Sequence, residues 1–133
     1  MGLQLRDFAA GIELARSALE LNPWLSTWLW NVLGDCLFCQ EQFAAAHDAY
    51  LQAERIDPRD ARTQLNLAYT WQQCGDPGRA LACIAQGLAG DAHGVHTQRL
   101  MEKQQQILAQ IAALRASQQQ RLAQRAARLQ AGA

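Results

Sequence analysis

The chain repeats itself at a spacing of 34 residues, and this period restricts its fold more than any single motif does. When residues 27–60 are laid over residues 61–94, large side chains fall on large ones and small side chains on small ones. The matched positions are Leu33 with Leu67, Gly34 with Ala68, Leu37 with Trp71, Ala46 with Ala80, Tyr50 with Ile84, Ala53 with Gly87, and Asp57-Pro58 with Asp91-Ala92. Such a period is typical of repeat proteins, in which each unit buries its apolar face against its neighbours.

The composition predicts that these repeats are helical. Alanine, leucine, glutamine and arginine dominate the chain and are strong helix formers, whereas alternating Val/Ile/Thr runs typical of strands are absent. Hydrophobic residues make up 50% of the 133 positions, too many for a wholly disordered chain. The sequence therefore predicts a single all-α domain.

The first copy carries a set of residues specific to one known kind of repeat. The set comprises Trp30, Leu33, Gly34, Leu37, Ala46, Tyr50, Ala53 and Pro58. It resembles the tetratricopeptide repeat (TPR). The second copy is degenerate, because it keeps Leu67, Trp71 and Ala80 but has Gln64, Ala68 and Ala92 where the first copy has tryptophan, glycine and proline. The resemblance implies a right-handed superhelical stack of antiparallel helix pairs, a TPR solenoid, with a repeat at 27–60 and a degenerate repeat at 61–93.

The turn inside the second copy has its own sequence signal. Cys74-Gly75 is followed by Asp76-Pro77. Aspartate is a preferred N-cap and proline is favoured in the first helical turn. The sequence predicts that a helix begins here with Asp76 as its N-cap.

The start of the chain matches only half of a repeat. Residues 3–23 match the second helix of a repeat, at a shift of 35 residues rather than 34. A repeat cannot bury its core alone, so an unpaired helix exposes the face that its partner would cover. We therefore expect that the chain is a fragment of a longer protein, truncated upstream of Leu3, or that another chain covers this helix.

Residues 94–130 predict one long C-terminal helix. Its first half has an apolar stripe that is expected to cap the last repeat, formed by Leu100, Met101, Ile107, Leu108, Ile111 and Leu114. Residues 1–102 carry all 12 acids and a net charge of −5, whereas residues 103–133 have no acid and a net charge of +5. Beyond Ala116 only Leu122 and Leu129 are large and apolar, so the end is expected to protrude, to fray or to pair with another copy.

The TPR resemblance implies that function lies on the concave face, which the first helix of each pair lines. The residues expected there are Trp28, Asn31, Asp35, Phe38, Arg62, Leu65, Asn66, Tyr69 and Gln72. Asparagine amides can hold a peptide backbone by donating and accepting, and aromatic side chains provide apolar area for a partner. We expect a protein–protein interaction scaffold that binds a peptide or a partner helix. The alternative is an assembly module that acts through the basic C-terminal helix, either by itself or as part of a larger enzyme.

Two further expectations concern the concave face. Phe38 and Tyr69 have an alternative role as packing residues between helices. Some members of the family grip an acidic peptide with a clamp of basic residues and asparagines, of which only Arg62 and Asn66 stand at matching places here. Asp35 would repel a carboxylate, so this clamp is not expected.

Catalytic and metal sites are not expected. The chain has no Gly-rich phosphate loop, no nucleophile elbow and no metalloprotease motif, and its acids are expected on solvated faces and caps without paired partners. Cys36 and Cys39 form a CxxC with Cys74 and Cys83 downstream, a set of four thiols that in principle suits zinc. The pair, however, falls inside a predicted helix, and buried free thiols are the favoured interpretation. We expect no cofactor.

The sequence also argues against membrane and nucleic-acid partners. No apolar run approaches the ~20 residues that a membrane span needs, and the start lacks the pattern of a secretory signal. The basic tail lacks the interleaved aromatics that stack on bases, which argues against nucleic acid. We expect a cytoplasmic location, no membrane contact, and a protein or peptide partner.

Overall fold

A computed structural model of the protein describes residues 5–24 and 26–132, and the side chains from residue 9 onwards within those ranges. The predicted helix start at Leu3 lies outside these residues. The described chain forms six helices and no strand, which confirms the all-α prediction. The helices are α1 (Leu5–Leu21), α2 (Thr27–Cys39), α3 (Phe43–Ile56), α4 (Ala61–Gln73), α5 (Pro77–Gly90) and α6 (Thr97–Ala131).

Each helix packs on the next along the chain, and the contacts are most extensive within two pairs, α2 with α3 and α4 with α5. The short connections inside each pair make its helices antiparallel. Side chains of α1, α2 and α3 build the first core cluster, to which α4 adds Leu67. The second cluster joins α4, α5 and α6. The molecule is therefore a stack of helix pairs, with α1 at one end and α6 at the other.

Small residues set the distance between paired helices. Gly34 of α2 lies against the Tyr50 ring of α3, and a Cβ at this position would be 2.6 Å from Tyr50 Cδ1. Ala46, Ala53 and Ala80 are completely buried. The small side chains that recur in the repeat pattern thus allow the paired helices to approach closely.

Side-chain caps begin three of the helices. Ser26 accepts from the Leu29 N–H at the start of α2, and Asp60 accepts from the Thr63 N–H at the start of α4. Asp76 accepts from the Arg79 N–H and Pro77 follows it, which confirms the predicted start of α5. The turn before Asp76 contains Gly75 at φ 78°, a conformation that glycine adopts readily.

The C-terminal helix begins later than predicted, at Thr97 rather than residue 94. Asp91 causes this difference, because its carboxylate accepts from the His96 N–H at 3.0 Å and the Thr97 hydroxyl at 2.7 Å. These bonds lower the pKa of Asp91, the Thr97 hydroxyl contributing most. They hold residues 91–96 as a turn, in which His93 and His96 both lie.

Only the first part of α6 caps the stack. Leu100 and Ile107 are completely buried and Ile111 is half-buried, whereas Met101, Leu108 and Leu114 are exposed. The predicted apolar stripe is therefore wider than the face that packs. Residues 112–132 are exposed throughout, and at 1.5 Å per residue the helix is about 52 Å long. Within the described residues, no helix combines the length and hydropathy required to span a membrane.

Candidate functional site

Two adjoining cavities lie on the side of the stack formed by α2, α4 and α6. The first has a volume of about 360 Å³ and is lined by Asp35, Phe38, Cys39, Tyr50, Asn66 and Tyr69. The second has a volume of about 610 Å³ and is lined by Phe38, Tyr69, Gln72, Gln73, Lys103, Gln106 and Gln110. Because both cavities share Phe38 and Tyr69, we call them together the Phe38–Tyr69 groove.

Helix periodicity places the lining residues in rows. Asp35 and Phe38 stand one turn apart on α2, as do Asn66 and Tyr69 on α4 and Lys103 and Gln106 on α6. Residues three or four apart share one helix face. The three rows run side by side, and Gln72 of α4 donates to Gln110 of α6 at 3.1 Å. The groove thus spans three helices that are not consecutive in sequence.

Asp35 is fully engaged at one end of the groove. One carboxylate oxygen accepts from the Tyr50 hydroxyl at 2.6 Å, and the other accepts from the Arg62 guanidinium at 2.8 Å. Burial raises the pKa of Tyr50, and its bond to Asp35 raises it further, so the phenol stays a hydrogen-bond donor. Asp35, which was expected on a solvated face, is thus half-buried and paired with Arg62. Its charge is offset by Arg62, which weakens the predicted repulsion of a carboxylate.

A chain of amides and hydroxyls lies beneath the groove. Asn66 donates to Asn31 Oδ1 at 3.0 Å, and Asn31 donates to Thr63 Oγ1 at 2.8 Å and to the Thr27 carbonyl at 3.0 Å. Thr63 in turn donates to Asp60. Asn31 is only 1% exposed and Leu65 is also buried. These two predicted contact residues line neither cavity. Asn31 supports the groove through its bond with Asn66, whereas Leu65 belongs to the second core cluster.

Trp28 and Tyr69, two other predicted residues, are both exposed but differ in position. Tyr69 lines both cavities, whereas Trp28 lines neither of them. Phe38 is half-buried and contacts Phe43 edge-on, with ring centroids 4.9 Å apart. Phe38 thus both packs against a neighbouring helix and lines the groove, the two alternatives that the sequence allowed.

Lys103 is a groove residue that the sequence analysis missed. It is 8% exposed, and its Nζ lies 3.9 Å from the centroid of the Tyr69 ring and 3.1 Å from Gln106 Oε1. Burial lowers its pKa. Neither of the two ion pairs among the described residues involves Lys103. A signal was available, because the spacing of Leu100, Lys103 and Ile107 puts a charge on the face of α6 that packs.

A separate cavity of about 470 Å³ lies on the other side of α2, between α1 and α3. Its apolar floor includes Trp30, Leu33 and Leu37, and charged groups such as Arg16 and Asp48 line its edge. The Trp30 indole donates to the Pro23 carbonyl at 2.7 Å. Leu33 and Leu37 of this cavity also belong to the first core cluster, and Trp30 packs against that cluster.

The four cysteines differ in exposure. Cys39 and Cys74 are exposed and Cys36 and Cys83 are half-buried, so the expectation of buried thiols is wrong for the first two. Burial raises the pKa of Cys83 to about 11, with a further increase from Glu54, while a bond with Trp71 acts against it. Burial also raises the pKa of Cys36, helped by Asp35 and Cys39. Among residues 5–24 and 26–132, no group of three or more His, Cys, Asp or Glu side chains is arranged to hold a metal ion.

Comparison with solved structures identifies the fold. The TPR2B domain of yeast Sti1 in complex with pHsp70 matches with a TM-score of 0.73 and 15% identity, over 79% of this chain and 86% of that one. The type III secretion chaperone SycD of Yersinia enterocolitica, in complex with a peptide of the translocator YopD, matches with a TM-score of 0.70 and 15% identity, over 77% and 81% of the two chains. A CopN–Scc3 complex matches with a TM-score of 0.62 and 20% identity, over 78% and 59%.

These likenesses establish the architecture of the chain. It has the TPR fold, a solenoid of antiparallel helix pairs with a long C-terminal helix. No protein-family model matches the sequence, and no curated protein matches it.

Proposed function

We propose that the chain is a non-catalytic scaffold that binds a peptide segment of a partner protein in the Phe38–Tyr69 groove. The observation that carries this proposal is the joining of two open cavities along a pair of aromatic side chains, with polar groups on both sides. Aromatic side chains are frequent anchors at interfaces because they supply large contact areas at small entropic cost. An extended peptide would lie across α2, α4 and α6.

The polar lining provides groups that suit a peptide backbone. Asn66 is half-buried and gives one N–H to Asn31, which leaves its Oδ1 and second N–H for a ligand. Lys103 holds a positive charge that no described acid neutralises. We therefore expect the preferred peptides to place an acidic side chain or a terminal carboxylate near Lys103.

The similar structures support an interaction role. All three are described as complexes, of Sti1 TPR2B with pHsp70, of SycD with a YopD peptide, and of CopN with Scc3. The present chain shares their fold at only 15–20% identity. We therefore infer the kind of partner from the residues that line the groove, and not from the partners in these complexes.

A displayed library of random peptides, selected on the wild-type chain, tests the proposal. Affinities of the selected peptides are then measured by calorimetry for wild type, Tyr69→Ala, Lys103→Met and a control, Trp24→Ala, which removes an exposed aromatic side chain outside the groove. We expect Tyr69→Ala to weaken binding at least roughly tenfold and Trp24→Ala to leave it unchanged. Peptides whose affinity is insensitive to Tyr69 and Lys103, or failure to select any peptide, would contradict the proposal.

A second candidate function is self-association through α6. It is favoured by the exposure of Leu114, Leu122 and Leu129 on a helix end that contains no acid. Light scattering on a sizing column distinguishes the two candidates, using the full chain and a chain that ends at Leu114. Self-association predicts a dimer or larger assembly for the full chain and a monomer for the short one, whereas two monomers would exclude it.

A further inference from the structure

The first helix presents an apolar face that the described residues leave uncovered. Ala10, Leu14, Ser17 and Leu21 follow one another at spacings of four, three and four, so they lie on one face of α1. Leu14 is 74% exposed and Leu21 is 89% exposed. The opposite face packs on α2 through Ile12, Ala15 and Leu19. Leu14 and Leu21 thus form an exposed apolar strip on the face of α1 that is turned away from α2.

The end of α6 presents a second apolar strip with the same spacing. Leu122 and Leu129 are seven residues apart, as Leu14 and Leu21 are, and they are 63% and 69% exposed. Seven residues correspond to two helical turns, about 10.5 Å of rise. Two strips of equal spacing can therefore bring both pairs of leucines into contact along one helix–helix interface.

The charges beside these leucines are opposite on the two helices. Glu13 and Glu20 immediately precede Leu14 and Leu21, and Arg121 and Arg128 immediately precede Leu122 and Leu129. On antiparallel helices the residues that precede two facing leucines lie on the same side of the interface, whereas on parallel helices they lie on opposite sides. Antiparallel pairing thus places Glu13 beside Arg128 and Glu20 beside Arg121.

We propose that the end of α6 from one copy of this chain covers the outer face of α1 of a second copy, with the two helices antiparallel. This inference rests on the second candidate function and specifies its contact surface: Leu14 meets Leu129 and Leu21 meets Leu122. The two helices lie at opposite ends of the stack, so the contact joins separate copies. The end of α6 from the other copy is thus antiparallel to α1, as α2 is antiparallel to α3.

Charge-reversal variants of the full chain test the contact. Glu13→Arg/Glu20→Arg places like charges on both helices, and so does Arg121→Glu/Arg128→Glu. We expect each double variant to raise the dissociation constant of the assembly about tenfold or more, because favourable charge pairs become repulsive. The control Arg55→Glu/Arg99→Glu makes the same net-charge change as Arg121→Glu/Arg128→Glu, at exposed positions away from both strips, and should leave the assembly intact. Circular dichroism verifies that each variant is helical.

An equimolar mixture of the two charge-reversal variants gives the sharpest readout. In the mixture, the new arginines on α1 of Glu13→Arg/Glu20→Arg face the new glutamates on α6 of the other variant. The native arginines on α6 of the first variant face the native glutamates on α1 of the second, as in the wild type. Light scattering should therefore show that two variants that are monomeric alone assemble when mixed. If the mixture stays monomeric, the proposed contact is wrong.

Cysteine cross-linking tests the direction of the helices. Leu14→Cys in one copy and Leu129→Cys in another should form a disulfide that peptide mass mapping identifies, and Leu14→Cys with Leu122→Cys should not. If the wild type assembles but Glu13→Arg/Glu20→Arg leaves its mass unchanged, α6 binds elsewhere, and self-association survives without this contact. A wild type that is monomeric overturns both.

Discussion

The two helix pairs, α2–α3 and α4–α5, share one architecture but fill the space between their helices differently. In the first pair the large Tyr50 ring packs on Gly34. At the positions 34 residues later, the smaller Ile84 accompanies Ala68, and both are completely buried. A methyl group on one helix is thus accommodated by a smaller side chain on the other. What the pairs share is the combined volume between the helices, rather than the residue at either position.

The pairs also differ in their turns. The first pair, which has the fuller TPR signature, has the less favourable turn residues. Glu41 adopts φ 61° in the turn of the first pair, where the second has Gly75 at φ 78°. Gln42 begins α3 without a side-chain cap, whereas Asp76 caps α5. The signature residues therefore report on packing and not on the quality of the turns.

The largest effect is expected from removing the ring that fills the first pair. Tyr50→Ala should lower the free energy of unfolding by about 3–5 kcal/mol, since it leaves a cavity beside Gly34. Tyr50→Phe keeps the ring and loses only the bond to Asp35, so its effect should be about 1–2 kcal/mol. Urea unfolding followed by circular dichroism measures both. Equal losses for the two variants would mean that the hydroxyl, and not the ring, holds the pair together.

The next test replaces the Gly34–Tyr50 combination of the first pair by the alanine–isoleucine combination of the second. Gly34→Ala should cost about 1–3 kcal/mol, because the new methyl group overlaps the Tyr50 ring. Adding Tyr50→Ile recreates the Ala68–Ile84 combination and should recover part of that loss. A double-mutant cycle measures the coupling between the two positions. If the losses in the free energy of unfolding are strictly additive, the two positions do not compensate each other in volume.

The fold was largely predictable because repeat patterns record packing directly. The 34-residue period located both helix pairs, and Asp76-Pro77 located the start of α5. The start of α6 was placed three residues too early, because the bonds from Asp91 to His96 and Thr97 depend on a turn geometry that no pattern of apolar residues records. Cap and turn contacts of this kind are specific to individual side chains.

The candidate site was less predictable, because exposure depends on neighbouring helices. Asn31 and Leu65 have the right register for the groove, yet Asn31 is buried against Thr63 of α4 and Leu65 is buried in the second core cluster. Lys103 reaches the groove because α6 lies beside α4. The apolar stripe of α6 predicted that this helix caps the last repeat, but it did not predict a contribution to the groove. The pairing of Asp35 with Arg62 likewise joins residues that are 27 positions apart.

The strained turn of the first pair should respond to a single exchange. Glu41→Gly places glycine in the left-handed conformation, as in the second pair, and should raise the free energy of unfolding by about 1 kcal/mol. Gly75→Ala is the reverse change and should lower it by a similar amount. Thermal unfolding of both variants provides the measurement. A destabilised Glu41→Gly would indicate that the Glu41 side chain contributes more than its backbone costs.

A smaller gain is expected from capping α3. Gln42→Asp introduces at the start of α3 the residue that Asp76 provides at the start of α5, and it should add about 0.5–1 kcal/mol to the free energy of unfolding. Asp76→Gln should remove a comparable amount from the second pair. Chemical denaturation of the two variants side by side checks the prediction, and an unchanged midpoint for Asp76→Gln would show that the cap bond contributes nothing.

The smallest effect concerns pH and should belong to the first pair alone. Burial lowers the pKa of His47 below its ordinary value of 6.5, against the opposing influence of Asp48 and Glu54. Its Nδ1 lies 2.6 Å from Thr70 Oγ1 and its ring packs edge-on against Trp71. Because the unfolded chain takes up the proton more readily, stability should be present above pH 6.5 and decline as the pH falls through the lowered pKa. His47→Leu, which copies Leu81 at the matching place in α5, should remove this slope between pH 7.5 and 5.5 in urea titrations, while His93→Gln should retain it. A slope that persists in His47→Leu would assign the pH dependence to other groups.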